Sequence, residues 1–128
     1  MANFRCERLF VMLDEPIPGL NHLKAVEPFQ FASLCSDDHA AHAGLTPLDT
    51  FTFAPFERPA WQPAAKGLKT VRGLIELYRT WLAQGHNPYG CTNEVLAANL
   101  AVLGEVEALL DAADSRDRQF YLAARDLA

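Results

Sequence analysis

The stretch that decides the fold runs from residue 61 to residue 113: WQPAAKGLKTVRGLIELYRTWLAQGHNPYGCTNEVLAANLAVLGEVEALLDAA. It reads as two amphipathic helices joined by a short Gly/Pro loop. The first opens at Trp61-Gln62-Pro63, and proline suits the first helical turn, where its missing N–H has no partner to lose. Leu68, Val71, Leu74, Ile75, Tyr78 and Leu82 then recur at three- and four-residue spacing, one apolar stripe at the helical period. Lys66, Lys69, Arg72, Glu76 and Arg79 fall mainly on the wet side. Gln84-Gly85, with Pro88 soon after, is the stop signal.

Thr92 or Asn93 can cap the second helix by accepting an orphan backbone N–H, and Glu94 in its first turn complements the dipole. Leu96, Leu100, Leu103, Val106 and Leu110 form its stripe, widened by Val95, Val102 and Leu109. So broad a face predicts burial on more than one side. Gly67, Gly73 and Gly104 each weaken a helix by roughly 1 kcal/mol relative to Ala, which predicts close packing of a neighbour at all three.

Outward from this pair the elements shorten. Leu9–Leu13 is an apolar run bounded by Asp14-Glu15-Pro16, and a strand is expected there, although a short helix fits nearly as well at this length. Residues 20–35 are expected to be helical in part, broken at Pro28. Ser36 can cap a short helix ending at Ala43-Gly44. Phe51-Thr52-Phe53 alternates as a brief extended stretch, and Pro55 restricts it to an edge strand or a loop. Residues 45–63 read as a long connection packed through its aromatic rings. Gln119–Ala124 reads as a strand with Phe120 and Leu122 on one face and Tyr121 on the other, free to pair with 9–13. The expected fold is a single α+β domain over 1–128: an antiparallel helical pair, one or two short helices, and a small antiparallel sheet formed by the chain ends.

Composition narrows the function. The 128 residues are half hydrophobic and about a fifth charged, as in a globular chain. Net charge is −5, which argues against nucleic acid, where Lys and Arg must neutralise phosphates. No apolar run approaches a membrane span and no signal-peptide core follows Met1, so a cytoplasmic location is the default expectation. Three cysteines (Cys6, Cys35 and Cys91) lack CxxC spacing and predict free thiols rather than a disulfide framework.

Two clusters carry candidate chemistry. Cys35, Asp38, His39 and His42 offer the ligand types zinc accepts, and on a helix they share one arc. A Ser36 cap would leave Cys35 outside that helix, and both histidines can equally be exposed polar residues. Cys91 lies just before the second helix, where a helix N-terminus favours thiolate, with His86 in the same loop as a candidate base. A third candidate is a partner surface: Phe51, Phe53, Phe56 and Trp61 in the proline-punctuated connection can serve as anchors, or can instead bury as a lid on the core. There is no glycine-rich phosphate loop and no nucleophile elbow, and no cofactor is implied.

Asp49-Thr50-Phe51 after a helix ending at Gly44, the run from Trp61 through Gly67-Leu68-Lys69-Thr70-Val71-Arg72-Gly73-Leu74, and the tail Phe120-Tyr121-Leu122-Ala123 resemble a family of small bacterial proteins of unassigned function. Pro28 and the 85–91 loop depart from that pattern. The resemblance implies an α+β fold with a C-terminal strand and supplies no catalytic residue. The expected function is therefore a non-enzymatic binding or regulatory module, of accessory or immunity type, acting on a protein partner or on a second copy through the wide face of the second helix. The alternative is a small metal-dependent or thiol enzyme using Cys35/His39/His42 or Cys91/His86.

Overall fold

The computed structural model describes residues 8–19, 37–53 and 56–125. In chain order these form β1 (Arg8–Leu13), α1 (Asp37–His42), a 3-10 turn (Leu48–Phe51), β2 (Thr52–Phe53), β3 (Gln62–Pro63), α2 (Ala64–Gln84), α3 (Asn93–Asp114) and β4 (Gln119–Arg125). The expectations for residues 20–35, including the break at Pro28, and for Ser36, Cys6 and Cys35 lie outside the described residues.

The architecture is α+β: α2 and α3 pack antiparallel against a small mixed sheet. α2 begins one residue after Pro63, which stands at its N-cap, and ends at Gly85 in the left-handed region (φ 78°), where the Gly85 N–H returns to the Trp81 carbonyl. The missing Cβ makes that conformation accessible. α3 is capped by Thr92, whose hydroxyl accepts the Val95 N–H at 3.2 Å. Across the solvent side, Arg72 of α2 reaches Glu107 at 3.1 Å and Asp111 at 3.0 Å on α3. Arg72 and Asp111 are exposed and Glu107 is half-buried at the surface, so this bridge contributes little compared with the apolar seam below it.

β4 is the centre of the sheet. β1 pairs along one edge of it, antiparallel, with Val11 opposite Leu122 and Leu13 opposite Phe120. The other edge is shared: β2 runs parallel beside Leu122 and Ala123, and β3 runs antiparallel beside Gln119 and Phe120. The pairing of chain ends thus gains two short strands from the aromatic connection, and the parallel β2 makes the sheet mixed. Asp14 locks the ribbon at its end, since its Oδ1 accepts the Gln119 N–H at 3.1 Å while its own N–H donates to the Gln119 carbonyl at 3.0 Å.

Val11, Leu13, Phe120 and Leu122 face the helices and are buried with Leu68, Val71, Leu74, Leu103, Val106 and Leu110. Gly67 is required here: a Cβ at that position would overlap the Phe120 ring. Gly73 makes room for the Leu45 side chain in the same way. Gly104 does not follow them, because it is exposed with nothing near its missing Cβ, so the close packing expected there is absent. Leu82 and Leu100 are only half-buried, at the rim of the core.

Candidate functional site

α1 is only six residues long and leans on the C-terminal end of α2. Too short to be stable alone, it is held by what its histidines touch. His39 is 7% exposed and its Nδ1 lies 2.7 Å from the Tyr78 hydroxyl, which is itself fully buried on α2. The His39 ring also packs edge-on against Tyr78 and Trp81, at centroid distances of 5.6 and 5.5 Å, and lies 4.8 Å from Tyr89. His42, one turn later, meets Trp81 and Tyr89 at 5.9 Å each. Tyr89 closes the corner by donating its hydroxyl to the Asp38 carbonyl at 3.0 Å.

The far nitrogen of His39, Nε2, lies 3.9 Å from the Cys91 sulfur. Cys91 is half-buried, and its backbone is clamped by a single side chain. Asn87 accepts the Cys91 N–H at 3.0 Å and donates to the Cys91 carbonyl at 2.8 Å, while also accepting the Tyr89 N–H at 3.0 Å. The thiol therefore sits on a fixed loop, one residue before the Thr92 cap of the 22-residue α3.

Burial sets the protonation states. It lowers the His39 pKa below the ordinary 6.5, with Asp38 opposing the shift and His42 reinforcing it. Burial also pushes the Tyr78 phenol up, further raised by Cys91. The Asn99 amide lies close to Tyr78 and partly offsets that rise, yet neither of its polar atoms completes a hydrogen bond of ordinary geometry although the residue is 1% exposed. The corner thus presents a neutral imidazole between a phenol and a thiol.

Cys35 of the expected ligand set lies outside the described residues. Asp38 is exposed and contributes its backbone carbonyl rather than its carboxylate to the corner, and His39 turns its nitrogens to Tyr78 and Cys91. Among the described residues no three His, Cys, Asp or Glu side chains converge as a metal site requires. Cys91 faces His39 rather than His86, which is exposed. Tyr78, Trp81, Asn87, Tyr89 and Asn99 were not singled out as site residues from sequence. One signal was legible: Asn99 is a polar residue within the apolar stripe between Leu96 and Leu103.

The four aromatic anchor candidates divide. Phe51 is buried in the core against Phe120, ring centroids 5.2 Å apart. Phe53 and Trp61 lie on the opposite side of the sheet, flanking Tyr121 at 6.0 and 5.0 Å. Trp61 is 43% exposed, and Phe56, in the loop between β2 and β3, is 87% exposed. No family model matches the chain, nor does any curated protein or solved structure. The expected resemblance to a family of small bacterial proteins finds no support in these comparisons.

Proposed function

We propose that the chain is a non-enzymatic binding module that engages a protein partner through the outer, aromatic side of its sheet. One observation carries this reading. Phe53, Tyr121 and Trp61 meet edge-on in a row on the sheet face turned away from the helices, with Trp61 partly exposed, and Phe56 stands exposed in the loop between β2 and β3. Large aromatic side chains presented from a rigid strand are the residues that concentrate binding energy at interfaces. β4 holds this row in place, because its alternate residues Phe120 and Leu122 are fixed in the core. A net charge of −5 favours a partner with a basic rim, through steering more than through affinity. Phe51 stays in the core and takes no part.

Affinity capture from the native host, run with wild type, Trp61→Ala and Phe56→Ala, tests the reading. A captured protein that binds wild type in purified form and weakens by about 2 kcal/mol, roughly thirtyfold, on Trp61→Ala supports it. Circular dichroism of the variant should be unchanged. Retention unaffected by both substitutions removes the aromatic row from the interface. Light scattering tests the simplest partner, a second copy. A dimer that persists in Trp61→Ala would move self-association to the wide face of α3, where Val95, Leu100 and Leu109 are half-buried.

A further inference from the structure

The corner around His39 lies apart from the aromatic sheet face and holds what a reactive thiol needs. We propose that Cys91 is a site of thiol–disulfide exchange with small disulfides, with His39 as its general base and Tyr78 and Asn87 as positioning residues.

A thiol attacks a disulfide only as thiolate, so a base within reach sets the rate. His39 Nε2 is 3.9 Å from Sγ, within reach of a sulfur hydrogen bond. To accept a proton there, the imidazole must carry its own proton on Nδ1. The Tyr78 oxygen, 2.7 Å from Nδ1, is placed to receive it. This is the nucleophile–base–orienter arrangement, in which the third group holds the ring in place. His39 is buried and neutral, so Nε2 is free to act near neutral pH. The positive end of the α3 dipole, one residue on, favours the developing thiolate. Asn87 fixes the loop through both Cys91 backbone groups, so the backbone that carries the sulfur is held.

In the exchange, the Cys91 S–H proton passes to His39 Nε2 as Sγ attacks one sulfur of R–S–S–R. The Sγ–S bond forms and the original S–S bond breaks, its electron pair leaving with the second sulfur. That thiolate takes the proton back from His39 and departs as R–SH. Cys91 is oxidised to the mixed disulfide and the leaving sulfur is reduced, with no other reagent consumed. Cys91 is half-buried, and its partner His39 is packed among the Trp81 and Tyr89 rings, crowding that favours a small disulfide over a bulky one.

Reduced full-length protein is mixed with cystamine, quenched in acid, and the peptide bearing Cys91 is quantified by mass spectrometry. At pH 7 the folded protein should modify Cys91 about tenfold faster than the urea-unfolded chain under matched cystamine. His39→Gln should bring the rate down to the unfolded value. Tyr78→Phe, which keeps the ring and loses the hydroxyl, should slow it several-fold. The acid limb of the wild-type rate–pH profile should track His39 protonation measured by NMR. Should His39→Gln not fold, the wild-type comparison and Tyr78→Phe still decide. A folded Cys91 that reacts no faster than the unfolded thiol overturns the proposal, as does a rate unchanged in folded His39→Gln or Tyr78→Phe.

Discussion

Phe120 and His39 both pack against α2, one near its start and one near its end. Around the Phe120 ring the fit is apolar and steric: a glycine clears it, Phe51 packs against it, and Leu68 and Val71 share its buried core. Around His39 the buried groups are an imidazole, a phenol, an indole and an amide, joined by one short hydrogen bond and edge-on rings. The first region is held by surface removed from water, the second by polar groups that must find each other in the interior. Volume changes should therefore break the first, and changes of proton or hydroxyl should break the second.

The largest effect is expected from Phe120→Ala, which empties the fully buried centre of the sheet and should cost about 3–5 kcal/mol in urea unfolding. A loss near 1 kcal/mol would mean that the helices do not rest on that ring. Gly67→Ala comes next. Its methyl group would push on Phe120, and a penalty of about 2–3 kcal/mol is expected despite alanine's better helix propensity. In the corner, Tyr78→Phe conserves shape but leaves His39 Nδ1 without its partner. A loss of about 1–2 kcal/mol is expected, and an unchanged thermal midpoint would break the contrast between the two regions.

Acid should separate them as well. His39 binds its proton less readily folded than unfolded, so below pH 6.5 the unfolded chain takes up more protons. Stability from this group is complete above 6.5 and falls, by at most about 1.4 kcal/mol per pH unit, as pH drops towards its folded pKa. The groups around it are Asp38 and His42 on α1, Tyr78 on α2, and Tyr89 and Cys91 from the following loop. Urea unfolding of wild type and His39→Gln across this range isolates the effect. The smallest change is Gly104→Ala. With open space at its Cβ, it should stabilise by up to about 1 kcal/mol, against the large penalty at Gly67.

The same contrast explains what could be read beforehand. Leu68, Val71, Leu74, Leu103 and Val106 announce their burial by spacing alone, because one helix face meets one core. A strand over Gln119–Ala124 follows from its alternation, whereas 9–13 is too short for its pattern to tell strand from helix, and only its pairing with β4 settles it. β2 shows in the alternation of Phe51-Thr52-Phe53, whereas β3 at Gln62–Pro63 was hidden, since so short a strand has no period and proline there reads as a helix start. The corner was hidden for a different reason. His39, Tyr78, Cys91 and Asn99 come from α1, α2, a loop and α3, and only folding makes Cys91 a neighbour of His39 rather than of His86. Phe51 and Trp61 look alike in the sequence, yet β4 passes between their environments and sends one ring inward and one outward.

A long-range nitrogen–proton NMR titration of the His39 imidazole tests the corner most directly. The account predicts a single neutral tautomer at pH 7, with the proton on Nδ1 towards Tyr78, and a protonation midpoint below 6.5 that moves on Tyr78→Phe. A His39 that averages between tautomers and titrates at 6.5 or above, indifferent to Tyr78→Phe, would contradict it.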